Sequence, residues 1–197
     1  MEFLTQIING LSQGSIFALV ALGYSMVYGI TQLINFAHGD IIMVGAYATY
    51  VMLILAGTPL WAAILAAVLF CAIVGVVIEQ VAYQRLLNKN APRISLLITA
   101  IGVSMLLQNL FQLIFKSDAK SVSNVLPSFP IPIGPLEISS VTLITIATSV
   151  VIMVLLQILV KKTRIGKAMR ATSEDAGAAK LMGISSRNTI AFTFAVG

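Results

Sequence analysis

Charge is scarce in this chain. Only 10% of its 197 residues are Asp, Glu, Lys or Arg, against about a quarter in soluble domains, which excludes an ordinary water-soluble domain. Cysteine and histidine are scarcer still, with one of each, Cys71 and His38. A single cysteine forms no internal disulfide, and with a single histidine it argues against a metal centre built from this chain. Cys71 sits inside an apolar segment and reads as a small packing residue. No Ser/His/Asp arrangement, no paired membrane carboxylates and no phosphate-cradling glycine loop is present. No catalytic residue, metal ligand or cofactor is therefore assigned, and an enzyme is not expected. The N-terminal Met1-Glu2-Phe3 lacks the basic start of a cleavable signal peptide, so the first apolar segment is expected to remain as a span.

What the chain has in abundance is apolar sequence, 58% of all residues. A helix needs about 20 residues to cross a bilayer core. Five segments approach or exceed that length: Leu4 to Ile30, Ile41 to Leu55, Trp61 to Tyr83, Ile94 to Phe115 and Val141 to Val160. The second is short and is closed by Gly57-Thr58-Pro59. A sixth starts near Thr189 and runs about nine residues, too few to cross. The expected fold is all-α, a polytopic transmembrane bundle of five complete spans and the start of a sixth. The chain reads as an N-terminal portion of something longer.

The net charge of +5 is placed in loops rather than over a water-facing surface. Arg85, Lys89 and Arg93 follow the third segment. Lys161, Lys162, Arg164, Lys167, Arg170, Lys180 and Arg187 follow the fifth. Lys116 and Lys120 lie in the remaining long loop. Positive charge favours the cytoplasmic side, so the first two loops are expected inside, and the N-terminus and the 116–140 loop outside. That outer loop holds Pro127, Pro130, Pro132 and Pro135, which disfavour helix. Phe129 to Ile138 has the pattern of a short hairpin. It serves either as a connector or as a docking surface for an extracytoplasmic partner.

Several polar residues interrupt the apolar pattern. Gly10-x-x-x-Gly14, with Ala18, Ala21 and Ser25, makes a small-residue face suited to helix packing; lining a path is the other use. Asn35-Phe36-Ala37-His38-Gly39-Asp40 falls between the first two segments, at what the topology takes as their cytoplasmic ends. Asp40 is expected to cap the second helix. Glu79, with Gln80, Tyr83 and Arg85, is expected to pair with a loop arginine or to reach the interface. Gln108, Asn109 and Gln112 are amides that bridge helices or face a cavity.

The 161–188 loop carries a short helix that looks specified at both ends. Ser173 reads as its N-cap, Glu174 and Asp175 as first-turn acids, Ala176 to Met182 as its body and Gly183 as its C′ residue. Two uses are open: a helix lying on anionic lipid, or a plug seated in a cleft of a cytoplasmic protein.

Three sets of residues together resemble the membrane permeases of branched-chain amino acid ABC importers, the LivH-like type. They are Gly23-Tyr24-Ser25-Met26-Val27-Tyr28-Gly29-Ile30 followed by Ile34 to Asp40; Glu79-Gln80-Val81-Ala82-Tyr83 with Ile101-Gly102-Val103-Ser104 and Leu107-Gln108-Asn109; and Gly166 to Ala171 with Glu174-Asp175, Ala179 and Leu181 to Ile184. The resemblance covers the whole chain in order, departing at Gln80 and Arg85-Leu86. It implies a multi-pass subunit of a bacterial or archaeal inner membrane, residues 1–197 forming one permease domain. A second permease would complete the pore, two cytoplasmic ABC ATPases would drive it, and an extracytoplasmic binding protein would deliver solute. The 161–188 loop would hold the coupling helix, with Arg170, Ala171, Ser173, Glu174, Asp175, Ala179, Leu181 and Gly183 at the ATPase contact. Tyr28, Asn35, His38, Gln108 and Asn109 are pathway or gating candidates. An ion-coupled secondary transporter and a non-transport membrane scaffold are the alternatives. The first would need carboxylates or broken helices near mid-membrane, and the five segments show neither.

Overall fold

Prolines, glycines and small capping residues set where the helices begin and end. In the computed structural model, every residue is described except Met1, Leu33, Asn90, Ala119, 121–128 and 134–135. The helices are α1 (Glu2–Thr31), α2 (His38–Tyr50), α3 (Leu60–Ile78), α4 (Gln84–Asn88), α5 (Arg93–Phe115), α6 (Ser140–Lys162), α7 (Arg164–Glu174), α8 (Ala176–Leu181) and α9 (Ser186–Val196). Pro59 and Pro92 stand in extended conformation before α3 and α5; a residue that lacks an N–H loses nothing at a helix start. Gly57, at φ +62°, turns the chain between α2 and α3, and the Thr58 hydroxyl donates to the Met52 carbonyl at 2.8 Å.

Two single turns of π-helix extend these elements. Val51–Leu55 continues α2, and Glu79–Tyr83 joins α3 to α4. Among the described residues, five stretches are long and apolar enough to cross a membrane: Phe3–Thr31, His38–Leu55, Leu60–Asn88, Ile94–Phe115 and Ser140–Lys162. The five expected spans are therefore present, within a few residues at each end. Large apolar side chains such as Phe17, Leu69, Leu106 and Leu155 are exposed along them. A surface of that kind matches lipid, not water. This is a multi-pass membrane protein.

The chain forms two compact units. One holds the first 23 residues with 123–167. In it β1 (Pro130–Ile133) and β2 (Leu136–Ser139) pair antiparallel, Ile131 opposite Ile138, giving the short hairpin that the proline spacing predicts; Pro127 and Pro135 lie outside the described residues. Ser139 caps α6, its hydroxyl accepting from Val141 N at 3.3 Å. At the other end of α6 the chain turns sharply at Thr163. Its Oγ1 donates to the Leu159 carbonyl at 2.6 Å and accepts from Gly166 N at 3.0 Å. A Cβ on Gly166 would overlap the carbonyls of Leu159 and Val160. By contrast, among the described residues nothing lies within 4 Å of a Cβ built at Gly10 or Gly14.

The other unit holds residues 24–122 and 168–197. Its core joins Val27, Val44, Ile78, Tyr83, Leu96, Leu107 and Phe194. Small residues bring the helices close. A Cβ on Gly45 of α2 would lie 2.9 Å from Cys71 Sγ of α3, so Cys71 is the packing residue expected of it. Gly75 of α3 meets the backbone of α9 at Phe194, where an added Cβ would overlap the carbonyl oxygen. Overfilling a packed contact costs about 1–3 kcal/mol. Gly75→Leu is therefore expected to lower the melting temperature of the purified protein by several degrees, whereas Gly102→Leu, at an open position, leaves it unchanged. Equal melting of the two variants would contradict the contact.

The charge asymmetry gives an independent expectation. In a Cys71→Ala background, Ser117→Cys should react with an impermeant thiol reagent added to intact cells, and Lys167→Cys only after permeabilisation. The reverse pattern would invert the topology.

Candidate functional site

The residues between α1 and α2 come together with distant parts of the chain. Gln32, at φ 53°, ends α1. The buried Asn35 side chain then accepts twice at Oδ1, from Ala37 N at 3.2 Å and from the Tyr83 hydroxyl at 3.0 Å. His38 opens α2 and meets the Tyr24 ring edge-on, centroids 5.7 Å apart. Asp40 is 7% exposed and accepts at Oδ1 from Gln108 Nε2 at 2.9 Å. The expected cap is not its role. Ala37 occupies the N-cap position without a side-chain bond, and Asp40, one turn further in, ties α2 to α5.

These contacts also move the site away from the membrane surface. Cys71 Sγ reaches the Ile41 carbonyl at 3.6 Å, and Asp40 reaches Gln108. At 1.5 Å per residue, Cys71 lies about 17 Å along α3 from Leu60, and Gln108 about 11 Å along α5 from Phe115. A bilayer core is about 30 Å thick. The break between α1 and α2 thus reaches from the basic end of the third span, where Asn35 bonds Tyr83 two residues before Arg85, to a part-way level along α3 and α5 at Asp40 and Ile41. The Asp40 carboxyl group therefore lies between the ends of the spans.

Of the five pathway candidates, Asn35, His38 and Gln108 gather around this break. Tyr28 is exposed on α1. Asn109 is exposed and turns back to donate to the Met105 carbonyl at 2.7 Å. Neither joins the cluster by a described contact. Beyond it, Tyr47, Phe111 and Phe115 stack, with Tyr47 and Phe115 centroids 4.4 Å apart. They wall an apolar cavity of about 410 Å³ that Val51 and Phe70 also line.

Glu79 is buried rather than turned to the interface, and among the described residues it forms no close ion pair. It is 0% exposed, and neither carboxylate oxygen has a hydrogen-bond partner among the described residues. The field of Arg187, in the first turn of α9, acts on it.

The basic segment after α6 differs from expectation in its caps. Helix α7 runs through Ser173 to Glu174, and the Ser173 hydroxyl donates to the Arg170 carbonyl at 2.7 Å. Asp175 is the N-cap instead: its Oδ1 accepts from Gly177 N at 2.8 Å and Ala178 N at 2.9 Å. Helix α8 is six residues long, shorter than the expected two to three turns. Gly183 closes it as expected, at φ +81°. Ile184 N donates to Ala179 O at 3.0 Å and Gly183 N to Lys180 O at 3.1 Å, the paired bonds of a Schellman end. Ser186 Oγ donates to the Ala176 carbonyl at 3.4 Å, tying α8 to the start of α9.

Exposure sorts this segment. Arg170, Glu174 and Asp175 are exposed, and Ala171 and Ser173 half-buried. Ala179 is 4% exposed and faces inward, whereas Leu181 is 90% and Met182 83% exposed. The exposed apolar surface at this end is that of Leu181 and Met182, not of Ala179.

Residues 6–197 match the family described as branched-chain amino acid transport system, permease component. The high-affinity branched-chain amino acid transport system permease protein BraD of Pseudomonas aeruginosa is 37% identical over 208 residues, covering 100% of this chain and 67% of that protein. The LivH permease of Escherichia coli K12 is 36% identical over 210 residues, with the same coverage. A probable LivH of Methanocaldococcus jannaschii is 27% identical over 183 residues, covering 91% of this chain and 58% of that protein. No solved structure gives a significant match.

Proposed function

Since the chain belongs to the family of branched-chain amino acid transport permease components, transport subunits of an ABC transporter complex, we propose that it forms part of the membrane path for branched-chain or closely related amino acids, without ATP chemistry of its own. The match over residues 6–197 carries this reading. The Asp40–Gln108 pair part-way along α5 supports it, because a buried polar group among apolar spans is costly unless it is used. The aromatic-walled cavity further along α2 and α5 has an apolar lining that suits a branched aliphatic side chain.

In the proposed complex a second permease faces this one, two cytoplasmic ATPases supply the driving force, and an extracytoplasmic binding protein delivers solute. Helix α8 with Leu181 and Met182 is the proposed seat for an ATPase. Its support is the pairing of two exposed apolar side chains with a helix fixed at both ends by Asp175 and Gly183. Arg170, Glu174 and Asp175 form the charged rim of that contact, and Ala179 holds α8 against its own chain.

The test is uptake in cells lacking their own branched-chain amino acid importers. Expression of the full transporter containing this subunit should restore accumulation of labelled leucine, isoleucine or valine. It should fail when the ATPase is inactivated. Uptake that instead follows an ion gradient and ignores the ATPase would favour a secondary transporter and overturn the reading.

A further inference from the structure

Asp40 sets a carboxyl group part-way along α3 and α5, with no ion pair to it among the described residues. No Lys or Arg precedes Arg85 in the sequence, and none lies between Ile94 and Phe115. The first three spans up to that arginine, and α5 beyond its first residue Arg93, are thus without Lys or Arg. Among the described residues, the side chain that donates to Asp40 is Gln108. A carboxylate in such a place is expensive unless something neutralises it.

The surroundings of Gln108 indicate where that something comes from. Ser104, Gln108 and Gln112 recur every four residues, so they share one face of α5. Gln108 Nε2 also donates to Ser104 Oγ at 3.2 Å, and Gln112 Nε2 donates to Ser117 Oγ at 2.8 Å. Both glutamines are exposed, and Ser104 is half-buried. Exposed amides do not belong against lipid, where Met105, Leu106 and Leu113 of the same helix are at home. The polar face therefore meets water or protein, and it runs from the outer end of α5 to the Asp40 carboxylate. Asn109 is not on this face.

We infer that Ser104, Gln108 and Gln112 line the aqueous path and that Asp40 receives the α-ammonium group of the passing amino acid. Asp40 supplies the charge, and Gln108 holds the carboxylate in place from α5. This rests on the proposed transport function and adds to it a residue that discriminates by charge. The chemistry recognised is a cationic head, which a monovalent metal ion also offers.

The experiment uses the complete transporter in proteoliposomes with saturating, loaded binding protein, comparing the unaltered subunit with Asp40→Asn and Asp40→Glu. Asparagine keeps the size and the acceptor for Gln108 but removes the charge. Asp40→Asn is expected to lower leucine moved per ATP hydrolysed about tenfold or more, the scale of one lost charge-assisted contact, while ATPase stimulation and protein abundance stay unchanged. Asp40→Glu should recover much of the loss. Replacing sodium and potassium with choline should leave unaltered uptake as it was.

Unchanged transport per ATP in Asp40→Asn would overturn the inference. So would a joint loss of uptake, ATPase stimulation and abundance that Asp40→Glu does not repair, since that is a structural defect. A strict requirement for sodium or potassium would assign the carboxylate to a metal ion instead. Absence of uptake by the unaltered transporter would sink the transport reading, and this inference with it; normal unaltered uptake with an unimpaired Asp40→Asn sinks the inference alone.

Discussion

Leu181→Asp combined with Met182→Asp is expected to abolish ATP-driven uptake while leaving the subunit folded and in the membrane. Both side chains are almost fully exposed at the end of α8, so neither contributes much to the packing of this chain. Facing a partner, they would be the apolar anchors of the contact. Two lost anchors, each worth about 2 kcal/mol, amount to a loss of roughly seven-hundredfold in docking at about 1.4 kcal/mol per tenfold. The introduced carboxylates add the cost of desolvation. Co-purification of the ATPase and uptake are measured together, with abundance checked separately. Wild-type levels of both would make α8 a lipid-surface helix. Ala179→Glu would not separate these cases, because Ala179 is buried in its own chain and its replacement harms the fold first.

Gly166→Val is expected to cause the largest loss of stability among single changes at the start of the same segment. The turn from α6 into α7 is closed by Thr163 Oγ1, which bonds both the Leu159 carbonyl and Gly166 N. No side-chain atom fits at Gly166, because two backbone carbonyls occupy the space. Backbone yields less readily than a flexible side chain, so the cost should sit near or above the upper end of the usual range, about 3 kcal/mol. Gly10→Val or Gly14→Val provides the contrast, since among the described residues nothing lies within 4 Å of a Cβ at either position. Thermal unfolding of purified subunits should rank Gly166→Val well below the other two. Equal melting temperatures would show that the corner relaxes freely.

The spans were legible because length and hydropathy speak for themselves, and the hairpin because proline at Pro130 and Pro132 leaves few choices. Gly183 was legible as a helix end for the same reason, since few residues take positive φ. The N-cap was not. Ser173 and Asp175 are both good caps, two residues apart, and the choice fell to Asp175 because α7 runs on from Arg164 through Ser173. The seam of Asp40 with Gln108 joins residues 68 apart, and no local pattern announces it. Its separate parts were visible, but the depth at which they meet required the packing of Ile41 on Cys71. The burial of Glu79 was equally hidden, because a carboxylate near the end of an apolar run ordinarily reaches for water.

The π turn at Glu79–Tyr83 bears on how this span can change over evolution. An α-helix turns about 100° per residue, and a π turn accommodates one residue more than the helix around it. Removing a single residue there would restore plain α-helix and leave the turns on either side close to their present rotation. Glu79 and Tyr83, which lie in the wide turn, would lose their present positions, while the residues before and after it would keep theirs. A one-residue gap at this place in a relative would therefore cost little in the packing of the span and would mark a subunit in which the contacts of Glu79 and Tyr83 are differently made.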